Sequence, residues 1–501
     1  MPRRSLILGS LVLLPILSAQ GQKPRDLAAE FDAYVTKAVS DWKAVGLAVT
    51  VVKDGKVVFA KGYGVRELGK PETVDTNTLF AIGSTTKAMT AAAMGMLVDE
   101  GKVRWDDPVT NYLPWFQLKD PLLTHEVTVR DLLTHRAGLG DGDMLWYETD
   151  LTPEEVLRRA RFIPIAYSLR SGFIYQNVAY AMAGAVIAAA SGMPWQEFIR
   201  TRIFQPLGMA GSVMTLAETR GKPNVASPHD IVNDTTVVIQ NVSVDPVASA
   251  GSIWSSVADM GKWARFIIDS GRVDGKRLLK PATWAELFKP QAVIASAFYP
   301  AAQIVKPHWN TYGLGWFQQD YAGRMMQYHT GSIDGMVAII GIIPDERIGV
   351  YVLANRDHVE VRHALMYKAL DLWLGIGSRD WSADLMAIYD RMRIAGETAR
   401  KAAIAKRVMG TKPSLPLEQY AGIYADSLLK AQIRFVDGKL RLETGSKRWA
   451  ELTHWNYDTF RGEWNHRWQG GATLVFHLDA SGKAASLDLD GEKLTRAPNA
   501  N

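Results

Sequence analysis

A serine and a lysine three residues apart, Ser84 and Lys87, carry the clearest chemistry in this sequence. Residues at this spacing lie on one face of a helix, so the hydroxyl and the amine would be neighbours. A serine hydroxyl becomes a nucleophile when a neighbouring base removes its proton, and lysine is such a base when burial or a nearby cation lowers its pKa. A helix N-terminus also offers backbone N–H groups to a developing oxyanion. The pair therefore predicts a serine hydrolase.

The spacing alone does not identify the nucleophile, because the chain repeats it twice. Ser40 and Lys43, and likewise Ser427 and Lys430, are also three residues apart. An isolated pair of this kind is more often a helix start or a surface pair than an active site. Of the three serines, only Ser84 follows a glycine at the start of a predicted helix, which favours it over the other two.

Two later patterns complement this pair. Tyr175 and Asn177 form the only Tyr-x-Asn among the chain's 17 tyrosines. A tyrosine can relay a proton to a leaving group, and an asparagine amide can hold either the substrate carbonyl or the lysine. Further on, His329-Thr330-Gly331 ends on a glycine beside a predicted strand, where a substrate backbone can approach closely. Each pattern alone also fits a structural role, a packed aromatic or a structural histidine, so only the combination indicates a site.

In this order the three patterns resemble the motif set of the penicillin-binding proteins, D-alanyl-D-alanine carboxypeptidases and class C β-lactamases. That set is Ser-x-x-Lys, then Tyr-x-Asn, then Lys- or His-Thr-Gly. The spacing is similar, with about 90 residues from the serine to the tyrosine and about 150 from there to the histidine. The phrases at residues 78–83, 132–139 and 206–209 also look like the family. The resemblance covers roughly residues 25–375.

The resemblance implies a role for each catalytic residue. Ser84 would be acylated, while Lys87 and Tyr175 would share the proton transfers. Asn177 would position the substrate. The backbone N–H groups of Ser84 and Ser332 would form the oxyanion hole.

The same resemblance places the substrate along the strand that carries His329, Thr330 and Gly331. Many β-lactamases of this group have a lysine where this chain has His329, and that lysine is a permanent cation for a substrate carboxylate. Histidine is only partly charged near neutral pH, so we expect binding of a carboxylate to strengthen as the pH falls. A histidine here occurs in carboxypeptidases and D-amino-acid peptidases of the wider family, which favours a peptidase or amidase acting on peptides with D-residues. The alternatives are a β-lactamase or esterase, and a non-catalytic penicillin-binding sensor.

Several other chemistries lack their signatures. The ten histidines form no His-Glu-x-x-His, and the chain has no cysteine, so neither a zinc hydrolase nor a thiol nucleophile is expected. No Gly-Lys pair is followed by serine or threonine, which argues against a phosphate-binding loop, and no Gly-x-Ser-x-Gly of an α/β-hydrolase is present. We expect no metal and no cofactor.

Composition is typical of a soluble globular protein. A chain of 501 residues, 47% hydrophobic and 22% charged, predicts two or three domains. The net charge of +5 is spread without any run of five or more basic residues, so no nucleic-acid partner is expected. A small-molecule or peptide substrate is the expected partner, and the oligomeric state is left open.

The N-terminus predicts export. Two arginines at positions 3 and 4 precede an apolar run at residues 6–17 and small residues at 19–21. This is the pattern of a signal peptide, here residues 1–21. The run is shorter than the roughly 20 apolar residues that span a bilayer, so we expect a secreted or periplasmic protein with no membrane span in the mature chain.

The remaining pattern predicts an α+β fold. Residues 46–52 and 56–63 are strand-like runs around Asp54-Gly55, a strong hairpin signal, and residues 336–343 and 348–354 form another strand pair. Residues 84–99 predict a helix. Strands at both ends of a long helical insertion indicate an antiparallel sheet flanked by helices, giving a β-lactamase-like catalytic domain over 22–375.

The C-terminal part changes character. Residues 376–412 are charged and alanine-rich, which predicts a helical connector. Residues 413–501 return to short strands, with pairs at 433–436 and 439–442 and at 473–478 and 485–489. This density predicts a small β-barrel, and the region resembles the lipocalin-like domain appended to some peptidase-like family members.

Overall fold

The computed structural model describes residues 25–294 and 298–498. The predicted signal peptide lies outside the described residues. The chain forms a larger α+β part and a smaller closed barrel, with a long helix between them in sequence.

An eight-stranded antiparallel sheet lies at the centre of the larger part. Its strands in chain order are β1 (Gly46–Lys53), β2 (Lys56–Gly64), β3 (Ala292–Val293), β4 (Asn310–Tyr312), β5 (Phe317–Tyr321), β6 (Arg324–Ile333), β7 (Met336–Ile343) and β8 (Ile348–Ala354). Their spatial order is β2-β1-β8-β7-β6-β5-β4-β3, so the first hairpin pairs with the last strand. At its turn, Asp54 (φ 51°) and Gly55 (φ 76°) adopt the left-handed conformation that a two-residue hairpin requires. The predicted antiparallel sheet is confirmed.

Among the described residues, some helices cover the two faces of the sheet and the other helices pack beside them. The helices are α1 (Leu27–Asp41), α2 (Thr86–Asp99), α3 (Pro121–Glu126), α4 (Val129–Leu133), α5 (Pro153–Arg159), α6 (Asn177–Ser191), α7 (Trp195–Ile199), α8 (Gln205–Leu207), α9 (Ala248–Gly251), α10 (Val257–Ile268), α11 (Pro281–Leu287), α12 (Ala302–Val305), α13 (Val361–Leu374) and α14 (Trp381–Ala405). Neighbouring residues of β1 point to opposite faces. Ala48 therefore joins the core shared with α2, α6 and α10, whereas Val49 joins the core shared with α1, α13 and the start of α14. The predicted β-lactamase-like α+β fold is confirmed.

The apolar, alanine-rich α6 is a core helix. Nine of its 15 residues are buried, and it packs against α2 and α9. Among the described residues no single helix is long and apolar enough to cross a membrane; the pair Asn177–Ser191 and Trp195–Leu207 reaches that length only when both are counted, across a bend of 75°.

The C-terminal strands close into the predicted barrel. They are β9 (Gly422–Ala425), β10 (Lys430–Val436), β11 (Lys439–Glu443), β12 (Trp449–Asn456), β13 (Thr459–Glu463), β14 (Gly471–Leu478), β15 (Ala484–Leu489) and β16 (Glu492–Arg496), and β9 pairs with β16. Their buried side chains form a core separate from the two cores of the larger part. Helix α14 lies within the predicted connector, and its first turns pack on the larger part through Trp381 and Leu385.

Candidate active site

Ser84 lies at the entrance to α2. The helix predicted from Ser84 starts instead with a single 3₁₀ turn, Gly83–Thr85, and becomes α-helical at Thr86. Gly83 has φ 51°, and a Cβ added there would lie 2.7 Å from the backbone nitrogen of Ser332. A glycine before the serine is therefore required both by the backbone conformation and by the close approach of β6.

Lys87 is fully buried beside Ser84. Its Nζ is 2.9 Å from Ser84 Oγ, 2.8 Å from Asn177 Oδ1 and 2.9 Å from the carbonyl oxygen of Ala250. Burial lowers the pKa of this amine well below its ordinary value, against a smaller opposing effect of Asp143. A neutral amine has two N–H groups and one lone pair. The two carbonyl oxygens take the N–H groups, so the lone pair is left for the hydroxyl of Ser84.

Asn177, the first residue of α6, is held from both ends. Its Oδ1 accepts from Lys87, and its Nδ2 is 3.1 Å from each carboxylate oxygen of Asp143. Asp143 Oδ1 also accepts from Trp146 Nε1 at 2.7 Å, and burial raises the pKa of this carboxyl group. Sequence reasoning missed Asp143, because a single acid in a glycine-rich loop gives no pattern that separates it from an ordinary turn residue.

Tyr175 packs beside Lys87, with its ring stacked on Phe317 of β5 and 6.1 Å from the ring of His329. Lys87 Nζ lies 4.7 Å from the centre of its ring. Burial raises the pKa of the Tyr175 phenol well above its ordinary value, and the nearby Ser84 hydroxyl opposes that rise. The phenol oxygen is buried beside the Ser84 hydroxyl and has no other hydrogen-bond partner among the described residues. The side chain is therefore a neutral phenol whose hydroxyl remains available to a reacting group.

Strand β6 runs directly past the nucleophile. Its pairing with β5 ends at Phe317 and Tyr328, so the segment carrying Gly331 is bordered by the turn before α2 instead of by β5. A Cβ added at Gly331 would lie 1.9 Å from the carbonyl oxygen of Ile82 and 3.0 Å from the nitrogen of Ser84. Only glycine fits here, and this contact brings the backbone nitrogens of Ser84 and Ser332 side by side.

Arg362 of α13 forms hydrogen bonds with the segment of β6 that contains Gly331 and Ser332. Its Nη1 donates to the carbonyl oxygen of Gly331 at 2.7 Å and to Ser332 Oγ at 3.0 Å. The buried carboxylate of Glu360, 2.9 Å away, compensates its charge. An arginine inside a helix about 30 residues downstream carries no signal in the sequence that links it to the strand.

The environment of His329 contradicts the expectation that this side chain is partly charged and binds a substrate carboxylate. Its ring is buried, Nδ1 donates to the carbonyl oxygen of Thr330 at 2.6 Å, and Nε2 therefore accepts from the hydroxyl of Tyr312 at 3.0 Å. Burial, assisted by Lys87, lowers the pKa of His329 to about 3. The imidazole is uncharged near neutral pH, so it cannot serve there as a pH-dependent receptor for a carboxylate. The hydroxyl of Thr330 lies 2.8 Å from that of Tyr299.

A cavity of about 520 Å³ adjoins the site and reaches the barrel. Asn177, Ser332 and Asp334 border it on the catalytic side. The barrel contributes Leu429, Thr444, Arg448, Trp464, Leu489, Asp490 and Glu492. In the part of the chain that the structure describes, no group of three or more histidine, aspartate or glutamate residues is placed to hold a metal ion.

The barrel is fixed against the catalytic part by polar contacts. Asp334 Oδ2, at the end of β6, accepts from Trp468 at 2.7 Å and from Tyr147 at 2.6 Å. Glu148 lies 2.9 Å from His466. These contacts place the barrel loops at the mouth of the site.

The fold and the buried serine–lysine pair define a serine hydrolase of the β-lactamase and penicillin-binding protein type. The chain belongs to the Beta-lactamase family, whose sequence model matches residues 31–372. Residues 406–498, which include the barrel, match a domain of unknown function, DUF3471.

Similar proteins agree with this assignment. Unguisins hydrolase ungD of Aspergillus violaceofuscus is 30% identical over 458 residues, covering 84% of this chain and 80% of its own length. Protein flp of Staphylococcus aureus is 23% identical, covering 66% of this chain and 63% of its own length. Among solved structures, the octameric penicillin-binding protein homologue from Pyrococcus abyssi matches with TM-score 0.62 and 24% identity over 94% of this chain and 100% of its own. SurE matches with TM-score 0.56 and 21% identity over 94% and 99%, and its structure with D-Leu matches with the same TM-score. The matches to solved structures show the fold.

Proposed function

We propose that this protein is an exported peptidase or amidase that cleaves amide bonds in peptides containing D-residues, through an acyl-enzyme on Ser84. The observation that carries the proposal is the buried amine of Lys87 at 2.9 Å from Ser84 Oγ, where burial lowers its pKa well below the ordinary value. Hydrolysis is supported by the relative named an unguisins hydrolase, and a D-amino acid in the substrate by the structure of SurE with D-Leu. Export rests on the predicted signal peptide.

In acylation, Lys87 takes the proton of Ser84 as Oγ attacks the substrate carbonyl. The oxyanion that forms is stabilised by the backbone N–H groups of Ser84 and Ser332. Tyr175 donates its phenolic proton to the leaving nitrogen and regains one from the protonated Lys87, so the net result is the transfer of one proton from the serine to the amine product. In deacylation a water molecule follows the reverse route and releases the acid.

Asn177 acts in this scheme by holding Lys87. Because its Oδ1 accepts from Lys87 and its Nδ2 is held by the carboxylate of Asp143, the geometry supports the lysine-holding alternative over direct binding of the substrate carbonyl. The substrate backbone lies along β6 at Thr330 and Gly331, and His329 forms a neutral wall behind that strand.

Intact-mass spectrometry followed over time tests the proposal. The substrates are peptide amides with D-Leu or L-Leu at the cleaved bond, a matched D-Leu ester, and a penicillin. We expect a transient adduct and product from the D-peptide amide. A persistent penicillin adduct without turnover of any substrate would favour the sensor, whereas faster turnover of the ester or the penicillin would favour an esterase or a β-lactamase.

Three serine variants locate the nucleophile. Ser84→Ala should abolish every adduct. Ser40→Ala and Ser427→Ala change exposed serines with the same spacing to a lysine, and they should label like the parent protein. Full labelling of the Ser84→Ala protein would remove Ser84 as the nucleophile.

A further inference from the structure

The cavity beside the active site has one basic residue in its wall. Arg448, in the loop between β11 and β12 of the barrel, is the only lysine or arginine among the described residues that line it. His329 is uncharged near neutral pH, and neither His329 nor Lys87 lines the cavity. The positive charge that faces this cavity therefore comes from the barrel.

Arg448 is oriented by neighbours that leave part of its guanidinium unpaired. Nε donates to Gln469 Oε1 at 3.0 Å, and the guanidinium lies 3.9 Å from the centre of the Trp464 ring. No carboxylate of the described residues forms an ion pair with it within 4.0 Å. Burial lowers the pKa of Arg448 from its ordinary value, but a guanidinium remains a cation at neutral pH. A half-buried charge without an ion-pair partner is costly, and such groups concentrate at functional sites.

The nearby acids are already engaged by other donors. Asp334 accepts from Tyr147 and Trp468. Glu148 contacts His466 and Gln469, and Asp490 accepts from the backbone nitrogen of Thr473 at 3.0 Å. These carboxylates act on Arg448 from a distance, but they leave its terminal N–H groups available to a ligand in the cavity.

We propose that Arg448 is a specificity-determining residue that receives a carboxylate of the substrate, selecting peptides with a free C-terminal carboxylate near the cleaved bond. A planar guanidinium with two free N–H-bearing nitrogens matches a carboxylate in a bidentate arrangement. The same cavity is lined by Met144, Trp146, Trp464 and Leu489, which suits an apolar residue beside that carboxylate. This inference rests on the proposed peptidase function.

Acidic residues of the cavity limit the positions at which a substrate carboxylate can bind. Asp490 and Glu492 lie on the β15–β16 hairpin and also face the cavity. A substrate carboxylate placed near them is repelled, so it is stabilised only where the guanidinium faces it.

The test compares a peptide acid with its C-terminal amide, identical in every other group. We expect Arg448→Gln to lower kcat/KM for the acid about tenfold or more relative to the amide. Arg448→Lys keeps the charge but loses the planar guanidinium. Its kcat/KM for the acid relative to the amide should lie between the values of the parent protein and of Arg448→Gln. The matched control is Arg441→Gln, since Arg441 also stacks on a tryptophan of the barrel at 3.9 Å but does not line the cavity. An equal loss for acid and amide would reduce Arg448 to a structural residue and overturn the proposal.

Calorimetric binding separates this inference from the proposed function. Ser84→Ala protein, with and without Arg448→Gln, is titrated with the same acid and amide, so no turnover is needed. Preferential binding of the acid that Arg448→Gln removes would support the carboxylate site even if neither peptide is cleaved. Equal binding of acid and amide by the Ser84→Ala protein, or no binding of either, would overturn it.

Discussion

Lowering the pH from about 7.5 to about 5 should leave His329 uncharged. An ordinary histidine with pKa 6.5 is about 97% protonated at pH 5. With the pKa of about 3 that burial and Lys87 impose, His329 would be only about 1% protonated there. The preference for a peptide acid over its amide should therefore stay flat across this range, because Arg448 does not titrate in it.

The same depressed pKa makes the folded state less stable in acid. The unfolded chain binds a proton at His329 below about pH 6.5, whereas the folded protein does not until about pH 3. Unfolding thus becomes easier as the pH falls through that window, by about 2 kcal/mol at pH 5 from this residue. The glutamine of His329→Gln is neutral in both the folded and the unfolded chain, and it offers an amide oxygen to Tyr312. Between pH 7.5 and 5 the free energy of unfolding of this variant should therefore fall by about 2 kcal/mol less than that of the parent protein.

Two measurements check this reasoning. Histidine-selective NMR on the labelled protein follows the ring signal that His329→Gln removes, and thermal unfolding compares the two proteins at both pH values. Other buried histidines, such as His135 and His363, are common to both proteins and cancel in the comparison. A ring signal that titrates near pH 6.5, or an acid-over-amide preference that rises in acid and disappears in His329→Gln, would refute it.

The other predictions concern the base, the glycine contact and the barrel. Lys87→Met should slow acylation by about 10³-fold, because it removes the amine that takes the serine proton, and intact-mass time courses will measure the loss. Gly331→Ala should abolish acylation by pushing β6 away from Ile82, whereas Gly396→Ala, on an open face of α14, should leave acylation unchanged; equal effects would remove the contact as the cause. A chain ending at residue 412 should keep an acylatable serine, since the barrel has its own core, but should lose the preference for peptide acids; failure to fold would show that the barrel belongs to the catalytic core.

Local patterns predicted the parts of the fold that depend on local chemistry. Asp54-Gly55 specifies its hairpin because both positions need a left-handed backbone. The strands at 336–343 and 348–354 were predicted because they are apolar on both faces and bounded by turn residues. The three-residue spacing likewise brings Ser84 and Lys87 into contact, although the helix begins with a 3₁₀ turn instead of an α-helical one.

The missed features depend on contacts between distant segments. The charge of His329 is set by burial and by Lys87, more than 200 residues away in sequence, so no local pattern contains it. Asp143 and Arg362 act through side-chain hydrogen bonds to Asn177 and to β6, which are far from them in sequence. Such residues can be identified only when the strands and loops that they connect have been placed.

The positions of Lys87 and Arg448 separate the chemistry from the selection of substrate. Lys87 has to be neutral to accept a proton, and its environment consists of residues from the catalytic part alone, Ser84, Asn177 and Ala250. A permanent cation at position 329 would have to be buried beside it, at a large desolvation cost. With Arg448 as the carboxylate receptor, that charge lies instead on a barrel loop at the mouth of the cavity. Changes in the barrel can then alter which peptide ends are accepted while the pKa of Lys87, and with it the rate of acylation by small probes, stays constant.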